Sequence, residues 1–149
     1  MSLFLKRRNA EKPKRRNKKP ARPTVPRLQG DLKERTLRFG IDVLNAVTKL
    51  PNDVRGWTVA KQLSRSSTSI GANVWEADSA YTDADFAHRI NIARKEANEV
   101  LYWLELSKRA NLLDAKFTDG LATEVDELQR ILGTIVRKTQ EFTSSNRSS

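Results

Sequence analysis

The chain has no cysteine. That excludes disulfides, thiolate metal sites and a cysteine nucleophile. It has one histidine, His88, with no catalytic signature beside it. Di-metal helical bundles need Glu and paired Glu-x-x-His motifs, whereas Asp85 stands three before His88. Six scattered glycines form no phosphate-binding loop. No apolar run approaches the ~18–20 residues of a membrane span. A short apolar patch, Met1 to Leu5, precedes Lys6-Arg7-Arg8, the reverse of a secretory signal. The expectation is a soluble cytoplasmic protein, not an enzyme, with no metal, no cofactor and no membrane partner.

What is present is distributed unevenly. Residues 1–30 hold 11 of the 28 Lys/Arg and one of the 18 acidic residues, a net of +10. The remainder carries 17 of each sign and is neutral. Four of the five prolines (Pro13, Pro20, Pro23, Pro26) lie in the same segment; the fifth is Pro51. The chain therefore reads as a basic arm (1–30), a neutral body (31–142) and a short tail (143–149), with arm and tail expected to be disordered.

In the arm, Lys6, Arg7, Arg8, Lys12, Lys14, Arg15, Arg16, Lys18, Lys19, Arg22 and Arg27 repel one another, and proline blocks helix formation. Such a segment suits a phosphate backbone, with salt-steep and largely sequence-blind binding. Residues 6–30 contain no aromatic for base stacking. A solvated tail that aids solubility, and contact with an anionic membrane or acidic protein, are the other readings of the same composition.

The body shows helical periodicity and no convincing alternation at period two, which predicts an all-α fold of four helices. Helix 1 spans about 31–50 with two apolar stripes, Leu37-Ile41-Leu44-Thr48 and Phe39-Val43-Val47-Leu50, and ends at Pro51. Helix 2 runs over about 58–79 with Leu63, Ser66, Ser67, Ile70, Val74 and Ala77 inward. Its small residues permit close approach of a neighbour. Helix 3 opens at Thr82, with Asp85 three residues on as in a capping box, and runs to about 111. Helix 4 takes Asp114 as N-cap and carries the stripe from Phe117 to Phe142. Short connections predict an antiparallel up-down-up-down bundle.

The helices carry more apolar surface than one core needs. Phe39, Val43, Trp75, Ile92, Tyr102, Trp103 and Leu106 lie off the principal stripes and are the expected oligomer interface. Asn73 and Glu76 share a face of helix 2, and Glu96 and Glu99 share one of helix 3. Arg65, Arg89 and Arg94 are their candidate counter-charges. A ligand site and a polar network fixing helix register are the two readings, the second favoured because buried charges need partners. On the body, Arg55, Lys61 and Arg65, and separately Arg130, Arg137 and Lys138, are candidate nucleic-acid contacts or simply solvated cations.

Ser69-Ile70-Gly71-Ala72-Asn73-Val74-Trp75-Glu76, then Asp85-Phe86, then Ile92-Ala93-Arg94-Lys95-Glu96-Ala97-Asn98-Glu99 and Tyr102-Trp103-Leu104 stand in order. This series resembles the four-helix-bundle family of 23S rRNA intervening-sequence proteins. Many members have Gly and a basic residue in the turn after Glu76; this chain has Ala77-Asp78-Ser79-Ala80-Tyr81. The resemblance implies an antiparallel bundle, a homopentameric ring and a non-enzymatic role with structured RNA rather than DNA. A related branch is the accessory variability determinant of diversity-generating retroelements, which implies a reverse transcriptase as an alternative partner. Basic arms of ribosomal proteins suggest the ribosome as a third.

Overall fold

The computed structural model describes Leu28 and residues 30–148. All 11 arm cations named above lie outside the described residues. Four helices follow in order: α1 (Leu32–Val47), α2 (Val54–Asp78), α3 (Asp83–Arg109) and α4 (Ala115–Ser145). Each packs along its neighbour in the chain, and a slighter contact between α1 and α4 closes the antiparallel bundle. None of these helices is long and apolar enough to cross a membrane.

Local chemistry sets the helix ends. Asp53 caps α2 by accepting from the Arg55 and Gly56 backbone N–H groups at 2.9 and 3.0 Å. α2 thus starts four residues before the expected Thr58, because the segment that stops α1 also starts α2. Thr82 Oγ1 accepts from Asp85 N–H at 3.1 Å, and Asp114 Oδ1 from Phe117 N–H at 3.2 Å, as the sequence predicts. α3 stops where Asn111 takes φ 53°, with Asn111 N–H donating to Lys108 O and Leu112 N–H to Ser107 O. That paired closure satisfies the last carbonyls and turns Leu112 into the core. α4 continues through Ser145 to an Asn146 cap, three residues into the stretch assigned to a disordered tail.

The core is apolar and continuous. Leu63, Ile70 and Val74 of α2 meet Phe86, Ile90, Ala93, Ala97, Val100 and Leu104 of α3 and Leu121, Val125, Leu128 and Leu132 of α4. α1 contributes Phe39, Val43 and Ala46. Burial of one large apolar side chain is worth about 1.5–3 kcal/mol, so this set supplies the main drive to fold. α1 and α2 meet closely through small groups. A Cβ added to Gly71 would lie 3.5 Å from Thr36 O, and one on Gly40 would lie 4.0 Å from Ser67 O. Ser66 and Ser67 tolerate burial by donating back to Gln62 O and Ser64 O.

This close crossing decides which stripe of α1 faces inward, and it corrects the interface expectation. Phe39 is 1% exposed and Val43 0%, so both are core. Trp103 and Leu106 are half-buried against the same core, and Ile92 is half-buried on α3. The outward stripe of α1 is Leu37, Ile41 and Leu44, each 44–49% exposed.

Candidate nucleic-acid interface

The cations of the body divide by what they touch. Arg55 pairs with Asp53 at 2.9 Å, and Arg130 with Asp126 at 2.8 Å one turn away. Arg65 of α2 reaches across to α3, donating to Glu96 at 3.2 Å and to Glu99. Lys61, Arg137 and Lys138 are exposed and have no acidic partner among the described residues. The same holds for Arg94, expected as a counter-charge of the polar network.

The acidic positions form a seam between α2 and α3. Glu96 and Glu99 hold Arg65, and Glu76 holds Arg89, which also lies 3.7 Å from Asp85. Hydrogen bonding from Arg65 holds the Glu99 carboxyl below the usual carboxylate range, with a further contribution from Trp103 Nε1–H at 3.3 Å. Asn73 instead donates to Ser69 O at 2.9 Å on its own helix. The seam is partly exposed, with Arg65 at 46% and Glu96 at 19%. It ties two helices in register and leaves no convergent set of free groups for a ligand. Among the described residues, no cluster of three or more His, Asp or Glu side chains is placed to hold a metal ion.

Of the open grooves outside the core, two differ sharply in character. The first runs along α1 and α2, about 340 Å³, lined by Leu37, Gly40, Ile41, Leu44, Gly71, Ala72 and Trp75. Trp75 is positioned there because its Nε1–H donates to Lys33 O at 3.2 Å while Lys33 Nζ lies 4.5 Å from the ring centre. Lys33 also pairs with Asp78 at 3.0 Å, so the residue that departs from the family turn carries a structural contact. Tyr102, 58% exposed, stands edge-on to Trp103 at 5.0 Å on α3.

The second groove runs between the first half of α3 and the last half of α4, about 440 Å³, and is polar. His88, Asn91 and Arg94 come from α3, and Gly133, Arg137 and Gln140 from α4. Sequence reasoning singled out Arg137 but not Asn91 or Gln140, and it assigned Arg94 elsewhere. The spacing of His88, Asn91 and Arg94 at three-residue steps places them on one helical face, the signal that points to this stripe.

Four antiparallel helices tied by a charged seam define a small helical-bundle module. The chain belongs to the 23S rRNA-intervening sequence protein family, whose sequence profile matches residues 30–134. It is similar to a crystal structure of a protein with unknown function from the S23 ribosomal protein family of Bacteroides thetaiotaomicron. The two are 37% identical with a TM-score of 0.67, over 70% of this chain and 97% of that one. The comparison with curated proteins finds no match.

Proposed function

We propose that the protein is a non-catalytic, self-associating nucleic-acid-binding module that engages RNA phosphates through its N-terminal arm. The carrying observation is the segregation of charge, +10 in residues 1–30 against a neutral remainder. A chain selected only for solubility has no need to confine its excess charge to one end. The family description, which names 23S rRNA, supports RNA over DNA as the partner.

Self-association multiplies the effect of each arm, because contacts that are weak singly add as avidity when several engage one strand. The outward stripe of Leu37, Ile41 and Leu44 beside Trp75 is the surface we assign to a second copy. It is a contiguous apolar strip rather than scattered exposed residues. A closed ring of five copies of the 17.0 kDa chain would weigh about 85 kDa.

The test is light scattering and RNA binding across a salt series. The full chain is compared with a variant carrying Gln at Lys14, Arg15, Arg16, Lys18 and Lys19. The expected result is a multimer whose RNA affinity falls steeply with salt. In the variant the salt slope drops by ~4, since each phosphate left without its cation removes ~0.7–0.9. An unchanged slope would end the arm reading. A ribosome-bound role is the rival, favoured by the ribosomal-protein family named for the similar structure. Co-sedimentation with ribosomes in high salt would support it instead.

A further inference from the structure

Arg94 and Arg137 face one another's helices without a carboxylate between them. The polar groove that they line contains His88, Asn91 and Gln140 but no acidic residue. A body with as many acids as bases pairs most of its arginines; these two are exposed and have no acidic partner among the described residues. The Arg94 stem lies against α4 at Gly133: a Cβ there would sit 3.5 Å from Arg94 Cδ, ordinary van der Waals contact. Beside it, Asn91 Oδ1 is buried and accepts no hydrogen bond from the described residues. An amide oxygen so placed lacks the donor that buried acceptors ordinarily find.

Cationic guanidiniums next to an unmet acceptor describe a ligand with an anion and a neighbouring N–H donor. A nucleotide has both: a phosphate, which arginine binds in a fork, and a base N–H, which an Asn carboxamide accepts. The topology favours a strand over a free nucleotide. In the antiparallel bundle, the start of α1, the start of α3 and the end of α4 share one end. α1, which the arm precedes in the chain, therefore starts at the end where this groove lies, within reach of a strand that the arm holds. The groove shares no helix with the apolar strip on α1 and α2.

We infer that the α3–α4 groove seats one nucleotide of a single-stranded segment, its phosphate on Arg94 and Arg137 and a base N–H on Asn91. The inference rests on the nucleic-acid reading above and adds to it a defined site on the folded body.

The experiment is photo-crosslinking of the full chain to a 4-thiouridine RNA oligomer and a matching 4-thiothymidine DNA oligomer, with adducts mapped by mass spectrometry. Adducts on peptides covering 84–94 and 133–140 are expected. Groove adducts from RNA alone would mean that the sugar is read, and from both that only phosphate and base are; either supports the site. The Arg94→Gln/Arg137→Gln variant is expected to bind RNA about tenfold more weakly, with the salt slope reduced by ~0.7 for the one phosphate of a single strand that the two arginines share. Its melting should match the parent, because neither arginine is paired. If oligomers bind but every adduct falls in residues 1–27, the groove site is wrong and the arm reading stands. If neither oligomer binds at low salt, both fail.

Discussion

Arg35 on α1 grips Glu124 on α4 through two parallel hydrogen bonds, Nε to Oε1 at 2.6 Å and Nη2 to Oε2 at 3.0 Å. The same Nη2 donates to Glu127 at 2.6 Å. The clamp lies where the first and last helices close the bundle, the slightest of its helix contacts. Both partners are about one-third exposed, so solvent screening holds the pair's worth to about 1 kcal/mol despite its forked geometry. Arg35→Ala should lower the melting temperature by about 4 °C. Arg35→Lys should recover only part of that, since an ammonium cannot make the fork. Melting of the alanine variant with the parent would show that the clamp contributes nothing to closure.

Two glycines should respond in opposite directions to the same change. A Cβ on Gly56 would sit 1.8 Å from Pro51 O and 2.8 Å from Pro51 C, both backbone atoms. Relief would require moving the α1–α2 turn, so Gly56→Ala should cost about 3 kcal/mol. Gly120, inside α4, would meet nothing within 4 Å. There Gly→Ala only removes freedom from the unfolded chain and should stabilise by about 0.5–1 kcal/mol. Urea titrations of the two variants give the comparison directly; a shared sign would refute it.

Much of the fold was legible because most helices carry a single inward stripe. Leu63, Ile70 and Val74 on α2, and Phe86, Ile90 and Ala97 on α3, recur at helical spacing with no competing set of equal strength. Thr82 and Asp114 could be read as caps because cap chemistry is local. α1 was ambiguous, since Leu37-Ile41-Leu44 and Phe39-Val43-Val47 are equally apolar. The choice between them is made across space, where Gly40 and Thr36 meet Ser67 and Gly71. Arg94 was misread for a similar reason: its place over Gly133 depends on a residue 39 positions away in the chain.

Acid should weaken the bundle through its interhelical carboxylates. Arg35 holds Glu124, and Arg65 holds Glu99, below the ordinary carboxylate range by direct hydrogen bonding. An acid whose folded pKa is depressed stabilises fully above its unfolded value. The unfolded chain takes up the proton first, so this stabilisation is lost as pH falls from about 4.3 through the folded values. Urea midpoints of the parent should hold near neutrality and drop below that point. Glu99→Gln/Glu124→Gln should start lower at pH 7 and lose less on acidification. Parallel curves for parent and variant would assign the acid loss to other carboxylates, such as the capping Asp53.

The two stripes of α1 give the sharpest separation of fold from assembly. Phe39 is packed on all sides, so Phe39→Ala should cost about 3–5 kcal/mol and lower melting at every protein concentration. Ile41, two residues on and 49% exposed, has no comparable role within one chain. If copies join through the strip that it shares with Trp75, melting of the parent must rise with protein concentration, because assembly stabilises only the folded form. Ile41→Lys buries an unpaired charge in that contact, so it should reduce the particle mass to that of one chain and abolish the concentration dependence. Its dilute-limit melting should stay near the parent's. A variant of undiminished mass would move the interface off this strip, and Tyr102 on α3 would be the next position to charge.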